Sequence, residues 1–165
     1  MQPLQLLAQT SDGTKALGAA VAAMLEPGDV ISLTGELGAG KTTFVQGAAE
    51  ALGVTSPVVS PTFTLIREYA GTELTIYHVD VYRLERLQDV IDLGFEEMTD
   101  SGGITFVEWG DAIEALLTDS RLQIEFESAG LDTDSRRVRI TGTGPVWAAR
   151  WPLVETAIEG WKAPA

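Results

Sequence analysis

Asp29-Val-Ile-Ser-Leu-Thr34, running directly into Gly35-Glu-Leu-Gly-Ala-Gly-Lys41-Thr42, is the stretch that decides how this chain folds. Its first half is short, rich in β-branched residues and preceded by the turn pair Pro27-Gly28, which marks a buried strand. Its second half matches GxxxxGK[ST] at every fixed position. The residues from Lys41 to about Leu52 then suit a helix, with Gly53 in the position that commonly ends one. A glycine-rich loop between a strand and a helix N-terminus turns consecutive backbone N–H groups inward, where they and the helix dipole hold phosphate oxygens. In such a loop Lys41 reaches the β- and γ-phosphates, Thr42 presents its hydroxyl to Mg²⁺ and Thr43 donates to the α-phosphate. The motif arises by accident in a chain of this composition on the order of half a per cent of the time. Lys41 is moreover the one lysine between Lys15 and Lys162.

The base is partly legible too. Loop proteins specific for guanine usually hold it with Asn-Lys-x-Asp, and this chain has no asparagine, so ATP is favoured over GTP. A Mg²⁺ at the loop needs a carboxylate at the end of a neighbouring strand. Thr75-Ile-Tyr-His-Val-Asp80 and Ile104-Thr-Phe-Val-Glu108 both supply one. The second is continuously apolar, as a strand buried beside the loop strand should be, whereas the first is the outgoing arm of a hairpin. Glu108 is therefore the expected metal ligand. Asp80 is expected over the γ-phosphate, suited to the metal's outer shell or to orienting the attacking water.

Around this centre the pattern is that of one compact α/β domain over residues 1–165, a P-loop nucleotide-binding fold with a mixed, mainly parallel sheet, a β-hairpin insertion and a C-terminal helix. Leu4 to Ala8 is a short apolar stretch, Ser11-Asp12-Gly13-Thr14 offers helix caps, and an Ala- and Leu-rich helix should run to about Glu26. Phe63 to Tyr69 and Leu74 to Asp80 flank Ala70-Gly71-Thr72-Glu73 as a hairpin. Leu84 to Leu93 reads as a helix ended by Gly94, and the acidic residues between Gly94 and Gly103 read as a loop. Leu122 to Glu127 and Arg137 to Thr141 are further strands. From Pro145 to Trp161 a helical tail places Trp147, Trp151, Val154, Ile158 and Trp161 on one face, a stripe suited to packing rather than to a cofactor.

Composition narrows the function. Twenty-four acidic against eleven basic residues give a formal charge of −13, which repels phosphate backbones and argues against tight, unaided nucleic-acid binding. With no cysteine, disulfides and thiolate metal sites are excluded, in keeping with a reducing compartment. The N-terminus lacks a basic region followed by an apolar one, and no apolar run approaches a membrane span, so a soluble, cytoplasmic protein is expected.

Several residues near the loop invite roles beside their ordinary ones. His78 alternates with Ile76 and Asp80 and is read as a structural hydrogen-bonder. Arg83 suits either transition-state charge neutralisation or a surface ion pair. Pro61 sets a bend that could present Thr62 to the γ-phosphate or Mg²⁺, or could simply make a turn. Trp109 falls at the rim of the site, with core packing as its default.

Gly35-Glu-Leu-Gly-Ala-Gly-Lys-Thr-Thr43, Ser60-Pro-Thr-Phe-Thr-Leu65, His78-Val-Asp-Val-Tyr-Arg-Leu84, Asp92-Leu-Gly94 and Val107-Glu-Trp109 occur together and in this order. From about Ser11 to Thr141 the chain resembles the TsaE family, the ATPases of bacterial threonylcarbamoyladenosine biosynthesis. Residues 1–141 form the family core and 142–165 a C-terminal helical extension outside its pattern. The resemblance implies an ATPase, weak alone, that does no chemistry on tRNA but supports TsaB and TsaD as they transfer threonylcarbamoyl to adenosine 37 of tRNAs reading ANN codons. It implies Thr42 and Glu108 as Mg²⁺ ligands, Gly38, Ala39, Gly40, Lys41, Thr42 and Thr43 as phosphate binders, and Ser11 as a contact near the adenine. It also implies a nucleotide-touching arginine in the late strands, for which Arg136 and Arg137 are both candidates.

A shortage of arginines near the loop fits low intrinsic turnover, since an arginine supplied in trans can raise phosphoryl-transfer rates by about 10³ to 10⁵. Two other functions use the same loop: a small-molecule or nucleotide kinase, and a binding module in which ATP only shapes a docking surface. A kinase usually carries an arginine-bearing lid, which the acidic segment between Gly94 and Gly103 does not provide.

Overall fold

The computed structural model describes residues 1–36, 40–61, 65–81, 87–92, 94–108, 114, 117, 120–130 and 133–164. In chain order the strands are β1 (Leu4–Ala8), β2 (Val30–Gly35), β3 (Ile66–Ala70), β4 (Thr75–Asp80), β5 (Ile104–Glu108), β6 (Arg121–Ser128) and β7 (Arg136–Thr143). The helices are α1 (Ser11–Ala22), α2 (Lys41–Ala51), α3 (Leu87–Asp92), α4 (Phe95–Asp100) and α5 (Pro145–Ala157), and a 3-10 turn follows at Glu159–Trp161. The strands form one sheet in the order β1-β7-β6-β2-β5-β4-β3. β6, β2, β5 and β4 pair in parallel, while β3, β7 and β1 add antiparallel pairings at the two flanks. Five of the seven strands thus share one direction, giving the expected mainly parallel sheet with a hairpin at one edge.

Alternation along the strands sorts the core into two layers. Leu6, Ile31, Leu33, Ile76, Ile104, Phe106, Leu122, Ile124, Val138 and Ile140 join residues of α1, α2 and α5 in one apolar cluster. Val30, Val79 and Val107 pack with Phe95 and Met98 of α4 in a second cluster on the other face. β5, in the middle of the parallel set, is buried at all five positions, which is why Ile104, Phe106 and Val107 dominate it and Thr105 and Glu108 are its buried polar residues.

α1 and α2 lie together on the first face and meet through glycines. A Cβ on Gly47 would fall 1.9 Å from the Lys15 carbonyl oxygen, and one on Gly18 would fall 2.2 Å from that of Phe44. Their backbones are therefore nearly in contact, and the N-terminal turn of α1 is held beside that of α2, at the end of the glycine-rich loop.

The structure revises several expected elements. Leu4 to Ala8 forms β1, whose pairing with β7 is invisible to local pattern because the partners, from Leu4 with Ile140 to Ala8 with Arg136, lie at opposite ends of the chain. α1 stops at Ala22, four residues short of Glu26, because Pro27 forces the chain toward a turn; its N-cap is Thr10, whose Oγ1 accepts from Gly13 N at 2.9 Å. The first hairpin strand starts at Ile66 rather than Phe63, and Phe63 lies outside the described residues. The segment between Gly94 and Gly103 is not a loop. It contains α4, opened by Gly94 at φ 79°, with Phe95 and Met98 buried three residues apart on one side. So short a helix is set by that tertiary burial and not by propensity.

The tail is part of the core. Trp147, Trp151, Val154 and Ile158 are all buried, and the helix ends at Ala157 instead of continuing to Trp161. Trp161 lies in the following 3-10 turn and donates its indole N–H to the Gly13 carbonyl at 3.1 Å. Beyond it, Lys162 bridges Leu6, and Ala163 N donates to the Gln5 carbonyl at 3.0 Å. The outer edge of β1, otherwise an open row of hydrogen-bonding groups, is thereby partly covered. Among the described residues no helix is long and apolar enough to cross a membrane.

Candidate functional site

β2, β5 and β4 are parallel neighbours, so their C-terminal ends lie together on one side of the sheet, where ligands bind in open α/β sheets. Gly35 ends β2 at φ 140°, and a Cβ there would meet the Phe126 carbonyl at 2.6 Å. Phe126 in turn packs edge-on against Phe44 of α2, with ring centroids 5.6 Å apart. The entrance to the loop is fixed from below by this pair. Gly40, at φ 110°, caps α2. Gly38 and Ala39, named above among the phosphate binders, lie outside the described residues, as do Thr62, Arg83 and Trp109.

Lys41 opens α2 yet is only 4% exposed. Its ammonium donates to the carbonyl oxygen of Gly35 and, at 3.3 Å, to that of Glu36. A buried lysine folded back over the loop's own backbone sits where a phosphate chain would be gripped. Thr42 Oγ1 donates to Glu108 Oε2 at 3.4 Å. The hydroxyl and the carboxylate expected to share a Mg²⁺, 66 positions apart in sequence, thus meet in space. These are hard oxygen donors, few in number, of the kind Mg²⁺ takes from protein beside phosphate and water, so the donor set fits that ion. Thr43 follows in the same helical turn.

Asp80 stands opposite Glu108 in the β4–β5 register and is 4% exposed. Its backbone N–H donates to the Leu65 carbonyl at 2.8 Å, and Leu65 N donates to Pro61 O at 2.6 Å. Leu65 has a positive φ of 68°, a conformation that costs a non-glycine residue about 1–2 kcal/mol. That strain is carried where the Ser60-Pro61 segment meets the end of β4. Both acids expected from sequence therefore stand side by side on neighbouring strands, and Glu108 is the one whose carboxylate accepts from Thr42 at 3.4 Å.

His78, read from sequence as a structural hydrogen-bonder, makes its one side-chain hydrogen bond among the described residues to Glu108. It is fully buried, and its Nε2 lies 2.5 Å from Glu108 Oε2. Its Nδ1 is also buried and has no hydrogen-bond partner among the described residues, which ordinarily costs about 1–3 kcal/mol. The strand alternation His78, Asp80 was the one sequence signal for this contact. It could not show that the register pairs His78 with Phe106 and so brings its ring toward Glu108, two residues further along β5.

The two late arginines are separated by alternation along β7. Val138 and Ile140 face the helices, so Arg136 does as well, and Arg137 and Arg139 face the other way. A Cβ on Gly40 would lie 3.6 Å from both Arg136 Cγ and Thr14 Cγ2. Arg136 is therefore the arginine beside the loop. Its Nη1 donates to the Thr133 and Ser135 carbonyls at 2.8 and 2.9 Å, while Ser135 Oγ donates to Gln9 O at 3.0 Å. This ties the β6–β7 connection to the residues just before α1. Ser11 is the first residue of that helix and is exposed. A separate hollow of about 620 Å³, lined by Lys15, Gln46, Glu50 and Thr55 among others, runs along the flank of α2 and reaches neither Thr42 nor Glu108.

Residues 8–138 match the family described as "Threonylcarbamoyl adenosine biosynthesis protein TsaE". The chain belongs to the TsaE family. It is 45% identical over 144 residues to the tRNA threonylcarbamoyladenosine biosynthesis protein TsaE of Bacillus subtilis (strain 168), covering 87% of this chain and 89% of the relative. It is 41% identical over 137 residues to the protein of the same name from Streptomyces coelicolor, covering 80% and 92%. The crystal structure of Bacillus subtilis YdiB superposes with a TM-score of 0.80 at 38% identity, covering 94% of this chain and 95% of that one. TsaE membership and the mixed α/β fold thus agree with the reading from sequence.

Proposed function

We propose that this TsaE protein hydrolyses ATP with Mg²⁺ and, as an accessory subunit to TsaD and TsaB, supports threonylcarbamoyl transfer to adenosine 37 of tRNAs reading ANN codons. The observation that carries the proposal is the convergence of Lys41, Thr42 and Glu108 at the C-terminal end of β2 and β5, at the mouth of a glycine-rich loop. The names of its relatives support the place in tRNA modification. A cytoplasmic location follows from that role.

The residues divide the work. The loop amides of Gly38, Ala39 and Gly40, with Thr43, hold phosphate oxygens, and the Lys41 ammonium leaves its backbone carbonyls to pair with them. Thr42 Oγ1 and Glu108 hold Mg²⁺, which when bound neutralises charge on the phosphate oxygens. Asp80, on the neighbouring strand, orients the attacking water. Ser11 and Arg136 lie toward the base end of the nucleotide. With a net charge of −13, the protein meets tRNA only through its partners.

Hydrolysis is favoured over transfer to a small acceptor because α4, the one element between Gly94 and Gly103, packs on the sheet face opposite the loop and does not form a lid. The test is ATP turnover by the isolated protein, then with TsaB-type and TsaD-type partners and tRNA. Slow turnover that rises in the complex is expected. Acceptor-dependent phosphorylation exceeding hydrolysis, or repeated tRNA modification without ATP consumption, would overturn it.

A further inference from the structure

The pairing of His78 with Glu108 calls for a reason beyond packing. His78 lies in the first-face layer near Ile76 and Phe106, positions that apolar side chains fill elsewhere in the sheet. An apolar residue there would bury no unpartnered Nδ1. What the imidazole adds is one N–H directed at one carboxylate oxygen, Glu108 Oε2, at 2.5 Å. The same Oε2 is the atom that Thr42 Oγ1 approaches at 3.4 Å. Oε1 accepts from no described residue.

We propose that His78 is a positioning residue that fixes the rotation of the Glu108 carboxylate, so that the group is already oriented for Mg²⁺ when nucleotide arrives. This rests on the ATP·Mg²⁺ reading of the site. A glutamate has three side-chain torsions, and its terminal one is broad, so an unrestrained carboxylate at the end of β5 would turn freely. His78 removes that freedom from a strand that is itself rigidly paired with β5. Outer-shell donors of this kind commonly change metal affinity by about 10- to 100-fold when removed. Because the phosphates are held by the loop and Lys41, nucleotide affinity without metal does not depend on His78.

The test is binding of a fluorescent ATP analogue to the full chain, titrated with and without Mg²⁺. Wild type is expected to bind more tightly as Mg²⁺ is added. His78→Leu, which removes the donor, is expected to need about 10- to 100-fold more Mg²⁺ for the same gain, with Mg²⁺-free affinity within about twofold of wild type. His78→Gln, whose amide nitrogen can stand where Nε2 stands, should restore most of the Mg²⁺ response. If the leucine variant does not fold, His78→Asn takes its place, its shorter amide falling short of Oε2. A wild-type Mg²⁺ response in a folded variant without the donor would overturn the proposal and leave the ATP·Mg²⁺ reading standing. The absence of any Mg²⁺ effect on wild-type binding would overturn both.

Discussion

Two buried carboxylates at opposite ends of adjacent parallel strands are treated in contrary ways. Asp29, just before β2, is 8% exposed, and Glu108, ending β5, is 3% exposed. Asp29 is saturated. Arg150 of α5 approaches it in a fork, Nη1 to Oδ2 and Nη2 to Oδ1, both at 2.7 Å, while Glu26 N donates to Oδ2 at 2.7 Å. The guanidinium also stands 4.2 Å from the centre of the Trp147 ring. Among the described residues no Arg or Lys pairs with Glu108; its side-chain contacts are His78 Nε2 and Thr42 Oγ1, and both fall on one oxygen. A carboxylate matched donor for donor holds the fold together, whereas the one ending β5 has both of its side-chain contacts on Oε2.

The comparison breaks most visibly at Arg150. Arg150→Ala leaves Asp29 buried without its cation and takes the stacked group from Trp147. A loss of about 3–5 kcal/mol is expected, read as a fall in melting temperature of roughly 6–20 °C for a domain of this size. ATP hydrolysis per folded molecule should change by less than about twofold, because the pair lies at the end of β2 away from the loop. If the variant melts like wild type, the fork is a surface pair in effect and the contrast fails.

Glu108→Gln reverses the pattern. The amide keeps the shape and can still accept from His78, so the melting temperature should move by no more than about 2 °C, while Mg²⁺-dependent hydrolysis falls by about 10²-fold or more. Strong destabilisation with activity retained would make Glu108 a second Asp29.

These two groups also mark what could be read without coordinates. Thr42 and Glu108 were legible because a loop motif fixes one and the end of an apolar strand fixes the other. The buried parallel strands and the hairpin were legible for the same reason, each being written in a run of consecutive residues. The Asp29–Arg150 fork was not, since 121 positions separate the partners and α5 reaches Asp29 only by packing across the sheet. β1 escaped notice because an edge strand is defined by its partner. Which of Arg136 and Arg137 lies beside Gly40 needed one further fact, which residues of β7 face inward. His78 was placed on the correct strand face, but its contact with Glu108 depends on inter-strand register, which no single-strand pattern contains.

A smaller effect sharpens the first prediction. Replacing both members of the fork, Asp29→Leu with Arg150→Met, removes the buried charge and the need for its partner together. Most of the loss in Arg150→Ala should return, leaving a deficit of about 1–2 kcal/mol from the Glu26 N–H that loses its acceptor. Denaturant unfolding of the single and double variants measures this. A double variant as unstable as the single one would show that the guanidinium's stacking on Trp147, and not the ion pair, holds α5 in place.

The smallest expected effect is a null one in pH. The Arg150 pKa is raised above its ordinary value, first by its hydrogen bonds to Asp29 and further by the charges of Asp29 and Glu26, against the opposing effect of burial. A raised folded-state pKa gives stability that is fully present below the unfolded value and is lost only as pH climbs through the folded one. For an arginine that window lies far into alkali. The stability difference between wild type and Arg150→Ala should therefore stay constant from about pH 6 to pH 9, with the two melting-temperature curves running parallel. Curves that converge anywhere in that interval would mean that a group titrating near neutrality, and not the guanidinium, supplies the stabilisation assigned to this end of β2.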